Sequence, residues 1–406
     1  MSDADLIVRI AARGDGVTGD GRHVPLSAPG DRLHADGTLA PGPHHAEPPC
    51  RHFPQCGGCQ LQHLSDEAFA AYVHDRVAGA LAGQGLTAGE VAAPHISPPG
   101  TRRRASLRAL RLGKQLRLGF AEQGSHRIVD LKQCPVLEPR LFALVEPLRA
   151  MFARMLPDRR PGQAELTLVD QGVDLLLTGI AATSLAETEA LLAFADRHGL
   201  ARLMIGEEEE GAPITLWEPD PVTARFGGIA VAFPPHAFLQ ATADGEAALL
   251  AEVRRSLGDA RMVADLFAGL GTFALSIADD VPGRKVYAAE AARDLVLALQ
   301  GGGNRLPGRI FAEHRDLFRR PLTAKEAERF DAIILDPPRA GARDQVAQLA
   351  TARVPLIVYV SCNPASFARD AATLVAGGYA IERVKPVGQF RWSTHVELVA
   401  TFRRAG

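Results

Sequence analysis

The chain has 406 residues, 47% of them apolar, and a formal net charge of -2. That size and composition allow two or three globular domains with proper cores, and exclude a collagenous or disordered chain. No apolar run of about eighteen residues occurs, so no membrane helix is expected, and any nucleic-acid site must be a local patch.

The opening MSDADLIVRI carries no basic segment followed by a long apolar one. No secretory leader is read there, and the expected location is cytoplasmic. Residues 1–46 alternate short apolar runs with turn signals such as Gly14-Asp15-Gly16 and Gly19-Asp20-Gly21. They predict a few short strands and a linker at 41–49, and the segment resembles part of a small OB-like or TRAM-like β-barrel, an incomplete one. His44 and His45 are read as solvated linker residues.

Five cysteines stand at 50, 56, 59, 134 and 362. An odd count without a leader argues against a disulfide framework. CRHFPQCGGC places three thiols within ten residues, and Gly57-Gly58 lets the backbone fold tightly between two of them. Cys134, followed by a proline, is the candidate fourth ligand. Four thiolates bind either zinc or an iron–sulfur cluster, and spacing does not choose between them.

Residues 65–85 predict a helix with Ser65 or Asp66 as N-cap. The stretch 101–120 carries Arg102, Arg103, Arg104, Arg108, Arg111, Lys114 and Arg117 with no acid, and predicts a hairpin turning at Gly113-Lys114. Such a hairpin offers a positive field for phosphates. A second hairpin is expected around Asp170-Gln171-Gly172-Val173, a helix over 182–199, and an exposed acidic loop at Glu207–Glu210. The middle region, 47–232, thus reads as an α+β domain with the cysteines and the basic hairpin. Its helix at 65–85 is free to pack on the next domain.

From 233 onward strands and helices alternate. Strands are predicted at Met262–Phe267, Lys285–Glu290, Arg309–Asp316, Phe330–Asp336 and Pro355–Cys362, with an antiparallel tail of Tyr379–Pro386 and His395–Arg403. This pattern predicts an α/β, doubly wound, Rossmann-like domain over 233–406. Ligands of such sheets bind beyond the carboxyl ends of the strands.

Asp265-Leu266-Phe267-Ala268-Gly269-Leu270-Gly271-Thr272 is a strand running into a glycine turn. Glu290, at the end of the next strand, suits the ribose hydroxyls of an adenosine cofactor. This fits NAD or S-adenosylmethionine, and the Asp before the glycines leans toward the methyl donor. Asp336-Pro337-Pro338-Arg339 is a stiff loop of the kind found in methyltransferases that act on nitrogen or nucleobases. Cys362, at a strand end, can supply a nucleophilic thiolate. Glu397 sits in an apolar strand, where burial would raise its pKa and let it accept a proton. His395, two residues before it, faces the same side.

Together these pieces resemble the RNA uracil-5-methyltransferase family, in its iron–sulfur branch acting on 23S ribosomal RNA. The resemblance runs from Cys50 to the C-terminus through CRHFPQCGGCQLQH, TRRRASLRA, LGFAEQGSHRIVDLKQCPVLEP, FLQ, DLFAGLGTFAL, LDPPRAG, YVSCNPASFARD and THVELV. It implies a class I S-adenosylmethionine methyltransferase sheet joined to a central iron–sulfur domain. It implies a [4Fe-4S] cluster on Cys50, Cys56, Cys59 and Cys134. Gln240, Phe267, Glu290 and Asp336 are then expected to line the donor pocket, with Asp316 a weaker candidate. Cys362 is expected to be the nucleophile that adds to uracil carbon 6, and Glu397 the base that removes the carbon 5 proton. The target must be an unstacked or flipped uridine. A monomer without membrane association is expected.

The chain departs from the family pattern at Thr242, at Thr272 and at Phe390-Arg391-Trp392-Ser393. The same chemistry on tRNA, an idle iron–sulfur RNA-binding protein and an NAD-dependent redox protein are the competing readings. The idle reading gives no purpose to Cys362 and Glu397. The redox reading gives none to the DPPR and SCNP segments.

Overall fold

The computed structural model describes residues 5–206 and 212–404. The acidic run Glu207–Glu210 lies outside the described residues. The N-terminal segment forms a three-stranded antiparallel meander, Ile7–Ile10, Gly16–Thr18 and His23–Val24, beside a two-stranded ladder, Arg32–Leu33 with Leu39–Ala40.

A six-stranded sheet fills the middle of the chain. Its order is Ile214–Trp217, Leu200–Gly206, Gly172–Thr178, Pro161–Val169, Arg104–Leu112, Gln115–Gly119. Both expected hairpins are present: Leu112 pairs with Gln115, and Val169 with Gly172. Leu107, Ala109 and Leu118 point inward and bury against Leu148 and Phe152 of helix Val145–Met155 and Leu191 of helix Leu185–Arg197. This alternation follows from the two-residue period of a strand with one covered face.

The basic hairpin differs from an open cationic face. The Arg103 guanidinium pairs with Glu246 at 2.5 Å, and Arg104 Nη1 donates to the Leu239 carbonyl at 2.7 Å. Arg111 Nη1 donates to Leu156 O at 3.1 Å. These arginines fasten the hairpin to neighbouring backbone, while Arg108, Lys114 and Arg117 stay exposed. Guanidinium forks satisfy buried carbonyls well, which is why the inward cations here are arginines.

The C-terminal sheet carries the strands that place the site. In chain order they are β1 (Met262–Leu266), β2 (Lys285–Glu290), β3 (Ile310–His314), β4 (Ala332–Leu335), β5 (Leu356–Ser361), β6 (Tyr379–Gly388) and β7 (Glu397–Arg404). Their order across the sheet is β3-β2-β1-β4-β5-β7-β6. The first five are parallel, and β7 inserts antiparallel between β5 and β6. Strands β4 (AIIL) and β5 (LIVYV before Ser361) read as continuous apolar runs because helices cover both faces, and β1 does so apart from its buried Asp265.

The helix expected at 65–85 spans Asp66–Ala82, with the Ser65 hydroxyl accepting from Ala68 N at 3.2 Å. Its Phe69, Tyr72, Val73 and Val77 belong to the same core as Phe367, Leu374 and Ile381. The following strand, Ala88–Val91, adds to the outer edge of β6 in parallel. The stretch grouped on sequence with the middle region therefore completes the large sheet. No helix among the described residues is long and apolar enough to cross a membrane.

Candidate active site

Three strand ends converge. Leu266 pairs with Leu335 and Leu335 with Tyr359, so the residues following β1, β4 and β5 share one edge of the sheet. Phe267 leaves β1 at φ 65°, and its N–H and that of Ala268 both donate to Ala289 O, at 3.0 and 3.1 Å. Gly271 then adopts φ 90°, where a Cβ would lie 2.3 Å from a Leu299 side-chain carbon. Only glycine meets both demands. The helix after this turn is one turn long, Ala274–Ile277, and the Ala274 N–H is taken by Asp265 Oδ2 at 2.8 Å.

The loop after β4 is tied to the loop after β5. Asn363 caps helix Pro364–Ala376 by accepting from Ala365 N at 3.1 Å, and its Nδ2 donates to Arg339 O at 3.1 Å. Ser366 Oγ donates to the same carbonyl at 3.0 Å. The abrupt stop at Ser361-Cys362-Asn363-Pro364 thus has a structural cause: Asn363 caps, and Pro364 needs no N–H partner in the first turn.

Glu397 reaches Cys362 through register. Val360 pairs with Val399 and Ser361 with Leu398, so the next step along the ladder brings Cys362 to Glu397. On the other side Glu397 pairs with Val387 of β6.

Two clefts meet at this point. The first, about 420 Å³, runs along the sheet edge and is lined by Gln240, Phe267, Glu290, Asp336, Cys362 and Glu397. The second, about 610 Å³, opens toward the middle sheet and includes Arg102, Phe238, Arg339, Phe390 and His395. Cys362, Glu397, Phe238 and Arg339 line both.

In the first cleft Glu290 is preset by backbone donors. Its Oε2 accepts from Gly269 N at 2.9 Å, and its Oε1 from Ala291 and Ala292 N at 2.7 and 2.9 Å. Phe267 and Phe318 form a tilted aromatic pair at 5.4 Å. Asp316 does not line the cleft: its Oδ1 accepts from Phe318 and Arg319 N at 2.9 and 3.2 Å, closing a local turn. Its neighbours Arg315, Leu317 and Phe318 line the cleft instead. A short acidic side chain next to a turn caps its own backbone, which is the competing use of aspartate there.

The acids at the junction are held toward their neutral forms. Burial pushes Asp336 up to about 7. Burial and the Asp336 charge push Glu397 up to about 8, while a hydrogen bond from Gln389 pulls it down. Asp265, buried beneath the glycine turn, is pushed up to about 8 by burial. Cys362 is pushed up to about 11 by burial and then by Glu397 and Asp336. Cys362 is therefore a thiol in the free chain, and its proton must leave before it can attack.

The other four cysteines, Cys50, Cys56, Cys59 and Cys134, line one small pocket with Phe53 and Gln62. Burial pushes Cys59 up to about 12, and pushes Cys56 and Cys134 upward, with neighbouring thiols adding to each. Among the described residues no group of three or more His, Cys, Asp or Glu is arranged to hold a metal ion. Gly58, Arg102 and Phe120 form a wall shared by this pocket and the second cleft.

Sequence reading missed Phe238, Phe318 and Gln389. Phe238 had a usable signal: it alternates with Gln240 in an extended Phe-Leu-Gln segment, so both point the same way.

The model of the family described as tRNA (uracil-5-)-methyltransferase matches residues 309–404. An uncharacterized RNA methyltransferase of Zymomonas mobilis is 50% identical over 98% of this chain and 99% of its own length. A 23S rRNA (uracil(1939)-C(5))-methyltransferase of Halomonas elongata is 34% identical over 90% of this chain and 78% of its own. Among solved structures, the Pyrococcus abyssi tRNA (uracil-54, C5)-methyltransferase in complex with S-adenosyl-L-homocysteine aligns over 98% of this chain and 99% of that one. The TM-score is 0.73 at 21% identity, which shows a shared fold.

Proposed function

The chain belongs to the RNA uracil-5-methyltransferase family, and we propose that it methylates one 23S rRNA uridine through a covalent Cys362–uracil intermediate. The observation that carries this reading is the meeting of Cys362 and Glu397 where the two clefts join. The 23S assignment rests on the Halomonas relative's name and its 34% identity.

S-adenosylmethionine, when bound, supplies an electrophilic methyl group on a sulfonium. Phe267, Glu290 and Asp336 are the residues assigned to hold it, in the first cleft, and Gln240, which lines that cleft beside Cys362 and Glu397, is left to face the base. Glu290, fixed by three backbone N–H groups, suits ribose hydroxyls. A cation beside Asp336 favours its ionised form over the neutral form that burial favours.

The uridine enters from the second cleft as an unstacked base, beside Phe238 and Phe390. Cys362 first releases its proton to solvent, and its thiolate then adds to carbon 6. The displaced electron pair makes carbon 5 nucleophilic toward the methyl group. Glu397, which must likewise have given up its own proton to solvent, next takes the carbon 5 proton, the carbon 6–sulfur bond breaks, and the thiolate departs. One proton is released per methyl transferred.

Cys50, Cys56, Cys59 and Cys134 are the residues assigned to hold a [4Fe-4S] cluster. All-thiol donors around one pocket fit it.

Mapping 5-methyluridine in RNA from a strain lacking this gene tests the substrate. A 23S position that loses its methyl group supports the reading. A lost tRNA methyl instead would move the same chemistry to tRNA.

A further inference from the structure

Gln389 follows the end of β6 and is 1% exposed. The ends of its amide are distinguished by a neighbour that can only donate. Thr242 N–H donates to Gln389 Oε1 at 3.4 Å. The Gln389 nitrogen therefore points the other way and donates to Gln240 Oε1 at 2.7 Å. The same side chain also draws the pKa of Glu397 downward against its burial.

The packing admits no easy alternative. A Cβ at Gly245 would lie 2.7 Å from Gln389 Cβ and 3.1 Å from its Oε1, so the first turn of helix Ala243–Leu257 closes on the amide. Gln240, only 4% exposed, has its carbonyl occupied and lines the first cleft beside Cys362 and Glu397. Among the described residues no hydrogen bond engages its amide nitrogen.

We propose that Gln389 is a specificity-determining positioning residue. By locking Gln240 with its NH2 toward the cleft, it makes the site accept a pyrimidine with a carbonyl at carbon 4 and refuse one with an amine there. Uracil presents an acceptor at that position and cytosine a donor. A donor facing a donor leaves both unsatisfied, which is why a polar mismatch discriminates better than a lost apolar contact. The inference rests on the proposed function only in placing the pyrimidine at the junction of the clefts.

The test uses the full chain and the 23S rRNA fragment carrying the mapped uridine, with either uridine or cytidine at that position. Dissociation constants are measured for wild type, Gln389→Met and Gln240→Met. Wild type should prefer uridine, and Gln389→Met should reduce the preference about tenfold. Gln240→Met should lose a similar factor, and the double variant no more than either single one. If Gln389→Met does not fold, an unchanged preference in Gln240→Met overturns the proposal. An unchanged preference in folded Gln389→Met also overturns it. So does an equal loss for both bases accompanied by weaker S-adenosylhomocysteine binding, because Gln240 would then serve the donor. Binding is read without turnover, so a missing covalent adduct would sink the Cys362 role and leave this measurement standing.

Discussion

Cys362 and Glu397 are brought together by strand register: Ser361 pairs with Leu398 across β5 and β7, and the next step of that ladder joins the thiol to the carboxylate. A slip of one residue would turn every side chain of β7 to the opposite face. Leu398, Ala400 and Phe402 pack in one core and Val399 in another, so burial on both faces holds the register that aligns the chemistry.

Replacing Cys362 by Ala should abolish the covalent adduct with RNA carrying 5-fluorouridine at the target, and lower kcat/KM by at least about a thousandfold. The side chain is half-buried at a loop, so the melting temperature should change little. An adduct persisting in this variant, seen by denaturing electrophoresis, would exclude Cys362 as the nucleophile.

Glu397→Gln should trap the methylated adduct with ordinary uridine, since nothing then removes the carbon 5 proton. The same variant has a predictable stability profile. Glu397 is raised from 4.5 to about 8, so between those values the folded chain holds a proton that the unfolded chain has lost. Stability contributed by that proton is full below the lower value and disappears as pH rises through the upper one. The neutral amide of the variant is free of this dependence. Melting curves should show the variant gaining on wild type from pH 5 to 9, by an amount on the order of a few kcal/mol. A gap that does not grow with pH would contradict the raised carboxylate.

The five parallel strands, the cofactor turn and the Asp336 loop were legible because continuous apolar runs and glycine or proline punctuation are local signals. Glu397 was legible as a carboxylate inside VELVATF. Its meeting with Cys362 was not, because β7 enters between β5 and β6 against chain order. Gln389 looked like any polar residue before Phe390; its value lies in partners contributed by the Gln240–Thr242 segment. Arg103 and Arg104 read as free cations because nothing in their own segment announces Glu246 or the Leu239 carbonyl. Asp316 shows the opposite case, since the turn it caps is its own.

Asp336 raises Cys362 and Glu397 through its charge, in addition to their burial. Asp336→Asn should therefore lower the pH at which the Cys362 thiol becomes reactive. Iodoacetamide labelling of the Cys362 peptide, followed by mass spectrometry across pH, reads this without RNA. Wild type should react slowly at neutral pH because its thiol stands at about 11. A profile that is unmoved in the variant would show that Asp336 does not act on the thiol.

Gly271→Ala should cost donor binding and stability together. It places a side chain at φ 90° and a methyl 2.3 Å from Leu299. Strain and overpacking of this kind cost about 2–4 kcal/mol. Calorimetry with S-adenosylhomocysteine should show at least tenfold weaker binding, and restoring space by Leu299→Ala should recover only part of it, because the backbone strain remains. Full recovery would assign the whole effect to crowding.

The cysteine pocket gives the last prediction. Protein purified without oxygen should be brown and contain about four irons and four sulfides, with broad absorption that dithionite bleaches. Cys59→Ser should lose most of the iron, because Cys59 is buried and packs with Cys134, Val136 and Trp392. The consequence should reach the RNA cleft as well, since Gly58, Arg102 and Phe120 wall both cavities. RNA affinity should fall in Cys59→Ser while S-adenosylhomocysteine affinity, measured in the other cleft, holds. A colourless protein with one zinc would refute the cluster, and equal loss of both affinities would point to general unfolding rather than a shared wall.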